Sequence, residues 1–219
     1  GPSPRHMNPI VIIPARMAAT RLPGKPLADI EGLPMIVRVL RQAQAAGVGP
    51  VAVAAGDPEI VEAVTAAGGR AVLTNPDLPS GSDRLVAALA ELDPDGRHDV
   101  VINLQGDMPF VQPVVLTDCL AILEREPACD IATIVEAETS PAVRTNPDMV
   151  KAVLSLQPDR RSGRALYFTR AAAPSGPGPV LRHVGLYVYR RLALARFVAA
   201  PPSPLELREK LEQLRALEM

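Results

Sequence analysis

Short apolar runs and helical patterns alternate over the first part of this chain. Ile10–Ile13 is a continuous apolar run and reads as a buried strand. Met35, Ile36, Val39, Leu40 and Ala43 recur at helical spacing, which predicts a helix over Met35–Ala46 stopped by Gly47. Val51–Ala55 reads as a strand. Pro58–Ala67 reads as a helix with Asp57 as its N-cap and Gly68-Gly69 at its end. The same signals predict a strand at Ala71–Leu73, a helix at Ser82–Leu92, a strand at Val100–Leu104, a helix at Pro113–Glu124 and a strand at Asp130–Val135. Such a rhythm is that of an α/β fold: a mainly parallel sheet with helices on both faces and right-handed crossovers. The loops after the strands then share one sheet edge.

From about Ser140 the rhythm breaks. Met149–Leu156 and Val184–Tyr189 read as strands, separated by a stretch that includes the Gly- and Pro-rich Pro174–Pro179, and a single helix is predicted over Pro204–Leu217. These elements are expected to extend or flank the sheet, giving one domain over 8–219 in which about 140–200 is a smaller added part. Gly1–Met7 reads as an expression scar, which removes His6 from any site.

Composition narrows the function classes. The 219 residues are 47% hydrophobic, enough for a full core. A net charge of −1 gives no global electrostatic case for nucleic acid, and three Phe, three Tyr and no Trp leave few stacking platforms. No apolar run approaches the roughly 20 residues of a membrane span. Cys119 and Cys129 form no C-x-x-C pair and follow no signal peptide, so both are expected as reduced core residues of a cytoplasmic protein.

Three loops then carry the candidate chemistry. Pro14–Leu27 holds Arg16, Arg21 and Lys25 among Pro23, Gly24 and Pro26, which prevent a helix. Gly24-Lys25 approaches a P-loop, but Ala19 and Pro26 stand where that pattern needs Gly and Ser or Thr. The cations suit a triphosphate, with Arg16 and Arg21 offering forked hydrogen bonds and Lys25 a point charge. A solvated basic loop is the alternative, and the Pro and Gly framing favours function. Pro79–Arg84 precedes a helix: Ser80 or Ser82 either caps it or leaves its N–H groups for an acceptor on a base or phosphate. Leu104–Pro109 follows a strand: Asp107 is either a turn residue or the ligand of a divalent ion, and Gln105 can read a base edge or a hydroxyl. Together on one edge the three supply the parts for nucleotidyl transfer.

The spelling of these loops resembles the sugar cytidylyltransferases, in particular those that act on 3-deoxy-manno-octulosonate (Kdo). Pro14–Leu27 matches the family opening Pro-Ala-Arg-x-x-(Ser/Ala)-(Ser/Thr)-Arg-Leu-Pro-Gly-Lys-Pro-Leu. Ser80-Gly-Ser-Asp-Arg84 and Gln105-Gly-Asp107 match two further motifs. So do Asn146-Pro147 with Lys151, Ala165–Arg170, Leu181–Tyr187, and Pro202–Glu206 leading to Leu211–Arg215, in the same order throughout.

The resemblance implies a Rossmann-like nucleotidyltransferase fold, with the added part serving substrate and dimerisation, and a homodimer. It implies conversion of CTP and Kdo to CMP-Kdo and pyrophosphate with Mg2+, for lipopolysaccharide biosynthesis. It assigns Arg16 and Lys25 to the triphosphate, Ala15, Ser80 and Gln105 to the cytidine part, and Asp107 to Mg2+. Arg170, His183, Tyr187, Glu212 and Gln213 are assigned to the sugar acid. Read without the family, His183 and Tyr187 are core or packing residues, and Arg170, Glu212 and Gln213 are surface residues.

Three departures stand out. Met108 replaces a family Glu, and Leu78-Pro79 replaces His-Gln. A C-terminal family segment with a further metal-binding Asp is expected to be missing after Met219, with Asp83 a weak substitute. The alternatives are a cytidylyltransferase for another acidic sugar, such as an 8-amino Kdo analogue or sialic acid, and a degenerate, non-catalytic nucleotide-binding protein.

Overall fold

A computed structural model describes residues 7–18 and 24–219. In chain order the elements are β1 (Pro9–Ala15), a 3-10 turn (Lys25–Leu27), β2 (Asp29–Ile30), β3 (Leu33–Pro34), α1 (Met35–Ala46), β4 (Val51–Ala55), α2 (Pro58–Ala66), β5 (Arg70–Leu73), α3 (Gly81–Leu92) and β6 (Val100–Leu104). There follow α4 (Pro113–Arg125), β7 (Ile131–Glu138), α5 (Pro141–Thr145), β8 (Lys151–Leu156), β9 (Gly163–Thr169), β10 (Val180–Arg190), α6 (Arg191–Ala199), α7 (Pro204–Glu209) and α8 (Leu214–Glu218). Two compact units result: residues 1–132 with 186–198, and residues 133–185 with 199–219.

In the first unit β5, β4, β1 and β6 lie side by side, all parallel, and the carboxyl half of β10 adds antiparallel to β6. The sheet is therefore mixed but mostly parallel. β1 is buried along its whole length, as expected of a strand covered on both faces. Ile10 and Ile12 pack with Leu85, Ala88 and Leu89 of α3 and Leu194 of α6. Val11 and Ile13, equally buried, point to the other face, where α1 lies against β1 and β4 and packs with α2 and α4. Among the described residues no helix is long and apolar enough to cross a membrane.

In the second unit the amino half of β10 pairs antiparallel with β8, and β8 with β9. A small core of Ala152, Phe168, Leu211 and Leu214 sits behind them. Buried Glu206 and Arg215 join α7 to α8 through two hydrogen bonds of 2.8 and 2.7 Å.

Several local expectations need correction. The single helix over Pro204–Leu217 is two short helices, broken where Lys210 turns left-handed at φ 58°. The Val184–Tyr189 strand begins earlier, at Val180, and Met149–Leu156 begins later, at Lys151. β9, α5, α6 and the β2–β3 ribbon were not anticipated. Both cysteines are free thiols, but only Cys119 is buried; its thiol is pushed up to about 12 by burial, so it is inert. Cys129 is half-buried, not core.

Asp93 ties α3 to the strand that follows it. Its carboxylate accepts from the N–H groups of Arg97 and His98, each at 2.9 Å, and from Arg191 at 2.7 Å. Burial alone would raise its pKa, but the His98, Arg191 and Arg97 donors prevail and hold it at about 2, against an ordinary 3.8. The folded state therefore gains stability from this carboxylate above 3.8 and loses it as pH falls towards about 2. Asp93→Asn should lower stability near pH 7 by about 2 kcal/mol, because a tenfold change in proton affinity corresponds to roughly 1.4 kcal/mol. Denaturant midpoints of wild type and variant should converge as pH falls through that window.

Candidate active site

Parallel strands point their carboxyl ends to one edge, where the connecting loops can meet around a ligand. The loops after β1, β5 and β6 do so here, around a cavity of about 420 Å3. The first contributes Ala15, Arg16, Lys25 and Pro26; the second Leu78, Pro79, Ser80, Gly81 and Arg84; the third Gln105, Gly106 and Asp107.

The first loop is shaped by its own backbone. Gly24, at φ 79°, donates to the Met17 carbonyl at 2.9 Å. The chain then enters the turn Lys25–Leu27 with Pro26 buried, which sets Lys25 on the cavity wall beside Arg16. Arg21 lies outside the described residues. In the second loop Ser80 caps α3: its Oγ accepts from the Asp83 N–H at 3.2 Å and donates to the Asp83 carboxylate at 2.6 Å. The capping reading of Ser80 thus holds while Ser80 and Gly81 also line the cavity. Asp83 is engaged by that cap and is not a lining residue of the cavity. In the third loop Gly106 approaches β1 closely, since a Cβ there would stand 3.0 Å from the Pro14 carbonyl oxygen. Asp107 is exposed on the cavity wall. Met108 is half-buried and does not line the cavity, whereas Leu78 and Pro79 add apolar surface to it.

Arg84 was missed as a site residue. It is buried on α3 among core positions and donates to Thr74 Oγ1 at 2.5 Å and to the carbonyls of Asn75 and Pro76 at 3.0 and 3.4 Å. Burial lowers its pKa, Arg16 lowers it further, and Asp57 opposes them. Its signal in the sequence was an arginine on the apolar face of a helix, next to Leu85.

The residues assigned to the sugar acid are placed differently from one another. Tyr187 belongs to the first unit, stacks on Tyr189 with centroids 5.8 Å apart and packs against the core. In the second unit His183 and Gln213 meet: Gln213 Nε2 donates to His183 Nδ1 at 3.2 Å, so Nε2 carries the ring proton and donates to Thr133 Oγ1 at 2.8 Å. Phe168 packs against the ring, with centroids 4.7 Å apart. Arg170 gives its guanidinium to the carbonyls of Pro147, Glu209 and Lys210 at 3.0 to 3.1 Å, and so holds the end of α7. The fully buried Lys151 donates to the carbonyls of Asn146 and Arg170 at 2.6 and 3.1 Å. Glu212 is half-buried between α7 and α8.

A cytidylyltransferase family model matches residues 10–219, and the chain belongs to that family. Among similar proteins is the 3-deoxy-manno-octulosonate cytidylyltransferase of Parvibaculum lavamentivorans, 61% identical over 96% of this chain and 81% of that protein. The enzyme of the same name from Rhodospirillum rubrum is 57% identical over 99% of this chain and 86% of that protein. The solved structure of a CMP:2-keto-3-deoxy-manno-octonic acid synthetase complexed with CTP superposes with a TM-score of 0.86. It is 40% identical over 96% of this chain and 86% of that one.

Burial holds the His183 ring neutral, its pKa down at about 4 against an ordinary 6.5. The unfolded chain takes up this proton first, so acidification from 6.5 to about 4 should progressively destabilise the fold. His183→Gln should flatten the fall of the thermal midpoint across that window and leave the Asp93 step at lower pH in place. An unchanged slope would overturn this assignment.

Proposed function

We propose that this chain transfers the cytidylyl group of CTP to 3-deoxy-manno-octulosonate, giving CMP-Kdo and pyrophosphate. The observation that carries the reading is the convergence of Arg16 and Lys25, the N-terminus of α3 and the Gln105–Asp107 turn on one cavity, in a chain so similar to enzymes of that name. The anomeric hydroxyl of the sugar attacks the α-phosphorus in line. The bond from that phosphorus to the bridging oxygen breaks, pyrophosphate leaves and the hydroxyl proton is released. Arg16 and Lys25 hold the triphosphate and stabilise the charge that builds on the leaving group. Ala15, Ser80 and Gln105 hold the cytidine part. His183, Gln213, Tyr187, Glu212 and Arg170 serve the sugar acid, Arg170 by fixing the end of α7.

Asp107 is the residue that would hold Mg2+. Among the described residues no group of three or more His, Cys, Asp or Glu gathers for a metal. One hard carboxylate on the wall still fits Mg2+, which takes one or two carboxylates and completes its shell with waters and substrate phosphates. When bound, the ion would neutralise phosphate charge. A homodimer, a cytoplasmic site of action and a role in lipopolysaccharide synthesis belong to the same proposal.

Pyrophosphate release with CTP and a panel of sugar acids, with and without Mg2+, is the test. Kdo should turn over with Mg2+. Preference for the 8-amino analogue or sialic acid would move the substrate, and CTP binding without release from any sugar would make this a nucleotide-binding protein instead. Lys25→Ala should lower turnover on the order of 100-fold, as losing a preorganised charge donor does.

A further inference from the structure

The cationic loop is gripped from outside by the turn after β4. Asp57 occupies the N-cap position of α2, yet its side chain makes no capping bond there. Asp57 Oδ2 instead accepts from the Met17 N–H at 2.7 Å, across forty residues of chain. The preceding residue, Gly56, donates its N–H to the Ala15 carbonyl at 2.8 Å. The two bonds hold the backbone immediately before and after Arg16. Contact is close at this point, since a Cβ on Gly56 would lie 2.9 Å from Arg16 Cβ and 3.1 Å from Arg84 Nη1. The half-buried Asp57 therefore stands beside two arginines that line the cavity. Its charge opposes the mutual repulsion of Arg16 and Arg84.

We propose that Asp57 is a positioning residue for the nucleotide: through its bond to Met17 it presents Arg16 to the triphosphate of CTP before CTP arrives. The proposal rests on the cytidylyltransferase reading of this cavity. A loop held in its bound shape loses less freedom when the ligand binds, and small displacements of a charged group cost heavily in rate.

Asp57→Ala and Asp57→Asn separate this role from a merely structural one. CTP affinity by calorimetry and the KM values for both substrates are the readouts. The alanine variant should bind CTP about 10- to 100-fold more weakly and raise KM for CTP by a similar factor. KM for the sugar acid and the melting temperature should stay near wild type, because Asp57 caps no helix. Asparagine keeps an oxygen for the Met17 N–H and should restore most of the CTP affinity. Should the alanine variant not fold, Gly56→Ala, which drives a methyl against Arg16, should weaken CTP in the same selective way. Wild-type CTP affinity in Asp57→Ala or Gly56→Ala would overturn the proposal. So would equal losses for both substrates, or an asparagine variant as weak as alanine. Wild-type protein that binds no CTP would instead sink the reading of the cavity, and the proposal with it.

Discussion

Complete burial of β1 between β4 and β6 is the constraint from which the rest of the first unit follows. A strand covered on both faces must carry apolar residues at every position, and Pro9–Ala15 does. Parallel neighbours then require crossover helices, and these return the chain so that the loops after β1, β5 and β6 leave at the same edge. The apolar run at Ile10–Ile13 is thus what places Arg16 opposite Gln105 and Ser80 around one cavity.

Gathering three cations on the wall of one cavity at a strand edge creates its own difficulty. Arg16, Lys25 and Arg84 share the wall of one cavity, and Arg16 and Arg84 repel one another. The protein handles each one separately. Arg84 is stitched to the Thr74 hydroxyl and to the carbonyls of Asn75 and Pro76, Lys25 is set by a proline-bearing turn, and Arg16 is flanked by the Gly56-Asp57 grip. Negative charge is supplied at Asp57, which bonds the loop at Met17, offsets the repulsion of Arg16 and Arg84 and does not line the cavity. Apolar Leu78 and Pro79 complete the wall, so the charges act near low-dielectric surface, where they count for more.

Much of the fold was legible in the sequence because parallel strands and amphipathic helices leave strong periodic signals. β1, β4, β6, α1 and α3 fall within a residue or two of their expected bounds. Elements of the second unit were less legible. Its strands are antiparallel and partly exposed, so their alternation is weak, and β9 has no counterpart among the expected elements. The break at Lys210 was hidden because a left-handed residue that is not glycine carries no signal in the sequence. In α6 the run Arg191–Ala199 mixes apolar and basic residues directly after a strand, with no Gly or Pro to mark where one ends and the other begins.

The sequence by itself singled out the three loops that meet around one cavity, since Gly, Pro and charge identities there are local properties that need no partner. It also determined the residue set Arg16, Lys25, Ser80, Gln105 and Asp107, all of which line one cavity. Only the tertiary structure decided what grips what. Asp57 sits at the N-cap position of α2 and its carboxylate bonds the Met17 N–H; Arg170 holds the end of α7; Arg84, part of the motif Ser80–Arg84, is a buried brace. The reason is physical: Asp57 and Arg170 pair with backbone groups far away in sequence, and backbone groups are identical at every residue. No spacing in the chain can say which of them a side chain will find until the fold has brought it there.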